Sequence, residues 1–114
     1  MIAVIFEVLP DPDRKSDYLD MAALMRPLVD EVDGFISVER FQSLTNPDKL
    51  LSLSFFRDEE AVANWRRLTK HRSAQSAGRA GIFTDYHLRI AHVIRDYGMF
   101  DRAQAPTDSK DRHG

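Results

Sequence analysis

The chain has 114 residues, of which 43% are hydrophobic, and this length and composition suit one domain with one modest core. Its 16 basic and 18 acidic residues are interspersed and give a net charge of −2, which excludes the basic stripe of a nucleic-acid-binding protein. The absence of cysteine excludes a disulfide framework, a thiolate metal site and a catalytic thiol. No signal peptide and no membrane span of about 20 apolar residues is recognisable, so we expect a soluble, cytoplasmic protein.

The first predicted element is a strand over residues 2–9, which ends at Pro10 and carries apolar residues on both faces. A helix is predicted to begin at Asp11–Asp13, because proline is tolerated in a first turn and carboxylates suit the positive end of the helix dipole. Its apolar residues recur at spacings of three and four, and Gly34 ends it. Pro27 is expected to kink or interrupt this helix, because proline removes a backbone hydrogen bond.

A hairpin and a second helix follow. Residues 35–44 alternate in polarity, residues 50–56 form another strand-like run, and the turn cluster at residues 45–49 joins them as an antiparallel pair. Asp58 is the predicted N-cap of a helix that extends to about Ala77. One side of this helix carries Val62, Trp65, Leu68 and Thr69.

The last predicted strand covers residues 83–96, and it places His92 on the same face as Leu88 and Ile90. We assign residues 1–102 to the folded domain. Residues 103–114 are polar and nearly devoid of apolar side chains, so they are predicted to be a mobile tail.

The predicted order is β-α-β-β-α-β, the arrangement of ferredoxin-like α+β folds, with a four-stranded antiparallel sheet and two helices on one face. Two helices cover only one face, yet the first, third and fourth strands carry apolar residues on both. The second face needs a partner, and another copy of the same sheet is the simplest one. We therefore predict a homodimer.

Four segments carry a resemblance to a known family. They are Gly34-Phe35-Ile36-Ser37-Val38-Glu39-Arg40-Phe41, Leu51-Ser52-Leu53-Ser54-Phe55-Phe56-Arg57-Asp58-Glu59-Glu60-Ala61, the pair Trp65 and His71, and Arg95-Asp96-Tyr97-Gly98. Together they resemble the antibiotic biosynthesis monooxygenase family over roughly residues 2–98. The resemblance implies a dimeric α+β barrel, and the family includes cofactor-independent oxygenases of polycyclic phenols and quinols, haem-degrading enzymes and many members of unknown role.

The haem-degrading branch has a tryptophan on its second helix, a haem-ligating histidine ten positions later and an asparagine on its first strand. Ten positions after Trp65 stands Gln75, and the first strand has no asparagine. An amide oxygen is a poor axial ligand compared with imidazole, so this comparison disfavours haem degradation. No cofactor and no metal are therefore expected.

The phenol-oxidising branch has a tryptophan, an aromatic hydroxyl residue six positions later and an asparagine four positions earlier. In this chain these positions are Trp65, His71 and Ala61, and Asn64 is the candidate replacement for the missing asparagine. An imidazole with an ordinary pKa near 6.5 suits a base that deprotonates a phenol, so His71 and Trp65 are the predicted catalytic residues. The alternative makes Trp65 a core anchor and His71 a helix cap or surface residue.

The predicted substrate-binding residues are Asn64, Leu68, Gln75 and His92. His92 is a candidate for the pocket or the dimer interface, although a lone histidine on an apolar face is more often structural. The sequence thus predicts a cofactor-independent monooxygenase that oxidises a small phenolic, quinol or polycyclic aromatic substrate with dioxygen. The alternative is a non-catalytic dimer of the same fold that binds a small molecule.

Overall fold

The computed structural model describes the backbone of residues 1–75 and 81–113 and the side chains of residues 1–69 and 81–110. Its elements are β1 (Ile2–Pro10), a 3-10 turn (Pro12–Arg14), α1 (Lys15–Asp30), β2 (Phe35–Gln42), β3 (Leu50–Phe56), α2 (Glu59–Gln75), β4 (Phe83–His92) and α3 (Thr107–His113). The predicted order is confirmed. Several boundaries differ: a 3-10 turn precedes α1, which begins at Lys15, and both β2 and β4 are shorter than predicted. In addition, α3 is a short helix within the predicted tail.

Within the described residues, the strands form one antiparallel sheet in the order β2-β3-β1-β4. The residue pairs Val4 with Ser54 and Val4 with Ile90 fix the register on the two sides of the central strand β1. We call the side of the sheet that carries Val4 and Val8 the inner face, and both α1 and α2 pack against it. The predicted ferredoxin-like α+β fold is therefore confirmed.

α1 passes through Pro27 without a break and continues to Asp30, so the interruption that the sequence allowed does not occur. Proline there removes one helical hydrogen bond close to the C-terminal end. Val29, two residues later, is only 5% exposed and belongs to the apolar core. Burial of this side chain offsets the lost hydrogen bond and keeps the last turn helical.

The register of β2 shifts between Phe35 and Ser37, so Ile36 is an extra residue at a bulge. Because of this shift, Phe35 packs edge-on against the ring of Phe56 at a centroid distance of 5.7 Å on the inner face. The alternation predicted for residues 35–44 would place Phe35 on the same side as Ser37, which is the opposite face. That expectation is wrong for Phe35, because a bulge reverses the direction of the side chain that precedes it.

α2 begins as predicted, with Asp58 as its N-cap. The carboxylate oxygen Oδ1 of Asp58 accepts a hydrogen bond from the backbone N–H of Ala61 at 2.9 Å. Gly34, at the end of the α1–β2 connection, has a φ of +91°, and its backbone approaches Ala61 closely. These contacts fix the start of α2 against the sheet and so position Trp65.

No described helix has the length and apolar character needed to cross a bilayer.

Candidate functional site

A cavity lies on the inner face because the side chains of β3 change from large to small. Leu50 and Phe56 are buried at the two ends of the strand, and each belongs to a separate apolar cluster. Between them, Ser52 and Ser54 point toward the same face. Two small polar side chains cannot fill the space beneath α1, so a cavity of about 80 Å³ remains there.

One wall of the cavity is apolar. It consists of Ala22, Met25 and Val29 of α1, Val38 of β2, Phe56 of β3 and Trp65 of α2. Trp65 also packs against the buried cluster of Val29, Phe56 and Ala61. Trp65 therefore anchors α2 to the core, as the alternative interpretation proposed, and it also presents part of its ring to the cavity. Its catalytic role stays a prediction. Its indole N–H donates no hydrogen bond within the described part of the protein and is free to bind a ligand.

The polar side of the cavity contains two arginines with different electrostatic surroundings. Arg26 lies 3.3 Å from the carboxylate of Asp30, donates to the carbonyl oxygen of Val38 at 3.3 Å, and stacks over the ring of Phe35. Its charge is therefore neutralised on its own helix. Since Arg26 and Arg40 are both exposed, the cavity reaches the surface on their side.

Arg40 has no such partner. Its Nε donates a long hydrogen bond of 3.5 Å to the hydroxyl of Tyr18, and its guanidinium lies 6.0 Å from the centre of the Tyr18 ring. No carboxylate of the described residues is within ion-pair distance of it. In the strand register, Ser52 stands directly opposite Arg40. The hydroxyls of Ser52 and Ser54 form no hydrogen bond with the described part of the chain, so three polar groups remain available to a ligand.

Of the residues predicted from the sequence, Trp65 lines this cavity, whereas the described side chains of Asn64, Leu68 and His92 do not. Asn64 accepts a hydrogen bond from Arg67 on the helix surface. Leu68 is half-buried, and His92 is exposed at the end of β4, opposite Ile2. The side chains of His71 and Gln75 lie outside the described residues, so their roles stay predictions.

Sequence reasoning missed the polar side of the cavity, namely Arg26, Arg40, Ser52 and Ser54. A signal was present: the serines interrupt the apolar positions of β3 that face the helices. In the described part of the chain, no group of three histidine, aspartate or glutamate side chains converges as a metal site would require.

The antiparallel sheet, with α1 and α2 on one face and a cavity beneath them, defines an α+β protein of the ferredoxin-like class. The family model described as antibiotic biosynthesis monooxygenase matches residues 1–77. The chain belongs to this family, which confirms the resemblance seen in the sequence.

A protein of Pyricularia oryzae named jasmonate monooxygenase is 46% identical to the chain over 93 residues, which are 82% of this chain and 43% of that protein. The chain thus spans less than half the length of this relative. Rv0793 from Mycobacterium tuberculosis is similar in structure, with a TM-score of 0.71, 19% identity, and coverage of 85% of this chain and 98% of that one. A Deinococcus radiodurans protein gives a TM-score of 0.72 at 12% identity, with 86% and 97% covered.

Proposed function

We propose that the protein is a monooxygenase that binds a small organic molecule in the cavity between α1, α2 and the sheet and oxidises it with dioxygen. The observation that carries this proposal is the cavity itself, which combines the apolar wall around Trp65 with the unpaired cation of Arg40. Family membership supports the reaction class, and the fungal relative adds jasmonate to the phenols and quinols as a substrate to test.

The oxidation can proceed without a cofactor only if the substrate supplies all the electrons. A phenol with a free para C–H position meets this condition: phenol and O₂ give a quinone and one water, and the ring loses four electrons. Hydroxylation of an unactivated C–H bond supplies only two electrons, so that reaction needs an external two-electron reductant. The dependence on added reductant therefore separates the two kinds of substrate.

The protein's part in phenol oxidation is to form and hold the phenolate, which passes an electron to dioxygen. A guanidinium in a partly apolar cavity favours the anion, so Arg40 would lower the pKa of a bound phenol. Removal of the proton is assigned to His71, the base predicted from the sequence. The indole N–H of Trp65 would orient a substrate oxygen.

The cavity volume limits what can bind. About 80 Å³ is less than the roughly 150 Å³ of an engineered cavity that accepts benzene, so side chains must move before a ring can enter. Met25 is flexible and borders the cavity, so it is the side chain to move. Haem does not fit the described lining, which is too small for it and supplies no imidazole, thiolate or phenolate.

The same cavity also favours a second candidate function, a dimer that binds a small molecule without catalysis. The described lining residues include no histidine, aspartate or glutamate that could act as a base. An oxygen electrode with a panel of hydroquinones, polycyclic phenols and jasmonate, with and without NADH, decides between the two. We expect oxygen uptake above the rate of autoxidation, and uptake at the autoxidation rate for every substrate would favour the binding protein.

We also propose that the protein is a homodimer in which the two outer faces pack together. α1 and α2 leave the outer face uncovered, over the part of the chain that the structure describes. Its apolar residues include Ala3, Ile5, Phe41, Leu51, Leu53, Phe55 and Ala91. The acidic Glu7 on this face is held by Arg89 at 2.9 Å and Lys49 at 3.1 Å. Hydrogen bonds from these two cations keep the pKa of Glu7 below its usual value, so it stays ionised and paired.

Phe41 tests the dimer because it is 43% exposed in one chain and contributes little to the core. Phe41→Ser should shift the protein toward monomer in sedimentation equilibrium. Leu44→Ser, at a position that is 98% exposed in the turn after β2, is the matched control and should leave the dimer intact. A wild-type protein that is monomeric at micromolar concentration would contradict this assembly.

A further inference from the structure

We propose that Arg40, Ser52 and Ser54 form a carboxylate-binding subsite, so that this cavity binds small apolar carboxylic acids. Hydroxylation of such an acid needs the external two-electron reductant described above. The inference deepens the proposed function, because it assigns a substrate class to the same cavity. It depends on three observations: the charge of Arg40 is not compensated, two serine hydroxyls lie beside it, and the remaining wall is apolar.

The first observation concerns charge. Arg26, which borders the same cavity, is paired with Asp30, and Arg89 on the outer face is paired with Glu7. Among the described residues, the guanidinium of Arg40 has a hydrogen bond and a ring contact with Tyr18 and no ion pair. Tyr18 is 3% exposed and therefore holds the side chain against a fixed surface. Glu39 is the adjacent residue on β2 and points to the opposite face of the sheet. Within the described part of the chain, the cavity lining therefore contains one positive charge without a carboxylate partner.

The second observation concerns the donors beside that charge. Arg40 and Ser52 are directly opposed in the register, and opposed residues of an antiparallel pair have Cβ atoms about 4.5–5.5 Å apart. Ser54 is two residues further along the same face, about 7 Å away. The guanidinium can hold one oxygen of a carboxylate while the Ser52 hydroxyl donates to the other, and Ser54 lies within reach of a slightly deeper position.

The third observation decides the chemical class of the ligand. A single guanidinium balances the single charge of a carboxylate, whereas a phosphate dianion would remain half compensated in a partly apolar cavity. Val29, Phe56 and Trp65 offer no hydrogen-bonding partner except the indole N–H, so the body of the ligand must be apolar. A volume of about 80 Å³ accepts the carboxylate and the first few carbons before the wall has to move.

The test measures binding separately from turnover. The chain has one tryptophan, and this residue lines the cavity, so intrinsic fluorescence reports occupancy directly. Titrations under nitrogen use jasmonate, cinnamate and 2-naphthylacetate, each with its methyl ester, which removes the charge and preserves the body. We expect at least one acid to bind about 10-fold or more tightly than its ester, as a charge-assisted hydrogen bond implies.

Two matched variants assign the effect to a residue. Arg40→Gln should weaken binding of the acid about 10-fold and leave the ester unchanged, whereas Arg66→Gln, at an exposed position of α2 that does not line the cavity, should change neither. Both arginines are exposed, so both variants should fold, which circular dichroism verifies. An unchanged acid affinity in Arg40→Gln, or the absence of any acid-over-ester preference in the wild type, would overturn the subsite.

The two proposals fail in different ways. Preferential acid binding without oxygen uptake would remove the monooxygenase and keep the carboxylate subsite. Oxygen uptake with phenols, together with no preference for any acid, would keep the monooxygenase and remove the subsite. In that case Arg40 serves the phenolate, and Arg40→Gln would weaken 2-naphthol binding only where the phenol is ionised.

Discussion

Substitution of Ser54 by valine tests the origin of the cavity. At about 24 cal/mol for each Å³ of closed void, a cavity of about 80 Å³ corresponds to at most roughly 1.9 kcal/mol of lost packing, because this cavity opens to the surface. Valine replaces a hydroxymethyl group by a branched three-carbon side chain and fills about half of that space, so we expect a gain of up to about 1 kcal/mol. The serine hydroxyl has no hydrogen bond to lose within the described structure, and valine suits a strand better than serine does.

For a domain of this length, 1 kcal/mol corresponds to a Tm increase of about 4 °C. The methyl groups of the new valine would occupy the space that the ligand needs, so Ser54→Val should also abolish ligand binding and turnover of the substrate. Ser54→Ala is the matched control: it keeps the cavity open, should leave Tm nearly unchanged and should weaken ligand binding only a few-fold. Differential scanning calorimetry and the fluorescence titration supply both measurements.

Two outcomes would refute this reasoning. A Tm lowered by several degrees in Ser54→Val would show that the site is already filled and that the added carbons overpack it. Wild-type binding and turnover in a folded Ser54→Val protein would show that the ligand binds elsewhere. A stabilised and inactive variant would instead identify the two serines as positions where stability is sacrificed for a binding site.

Three further predictions concern backbone, pH and catalysis. Gly34→Ala should lower the free energy of unfolding by about 1–3 kcal/mol, measured in urea. The reason is that residue 34 has a φ of +91° and that its new Cβ would lie 2.9 Å from the Cβ of Ala61. Gly98→Ala is the control and should be neutral, because its added Cβ meets nothing within 4 Å. Hydrogen bonds from the Ala61 N–H and from Arg57 lower the pKa of Asp58 in the folded protein. The stability that this cap contributes is therefore fully present above the ordinary aspartate pKa, and it is lost as the pH falls through the lowered pKa of the folded state. Asp58→Asn, which caps without ionising, should flatten the acid side of a Tm-against-pH curve, and an unchanged curve would contradict that account. If the imidazole of His71 is the base, His71→Ala should lower kcat by about 10²-fold, and the wild-type rate should rise as the imidazole deprotonates. Equal rates for the wild type and His71→Ala would remove His71 from the mechanism.

Local signals were enough to predict the fold. The spacing of apolar residues in α1, the turn cluster around Pro47 and the Asp58 cap each depend on residues close together in sequence, and each predicted its element correctly. The errors arose where tertiary contacts overrode a local preference. The continuity of α1 through Pro27 depends on the burial of Val29, and the position of Phe35 depends on a bulge that only the pairing with β3 reveals.

The candidate site likewise contains some residues that the sequence could indicate and others that only the structure brings together. Trp65 was predicted from the sequence, because the family resemblance implies a tryptophan at this position and its helix needs an apolar side. Arg40 and Ser52 could not, since they are separated along the chain by a hairpin and meet only through the strand register. The sequence by itself determined which elements form and in what order, because those preferences act over a few residues. Only the tertiary structure decided that Arg26 has a carboxylate partner while Arg40 has none among the described residues, because charge compensation depends on which side chains share a space.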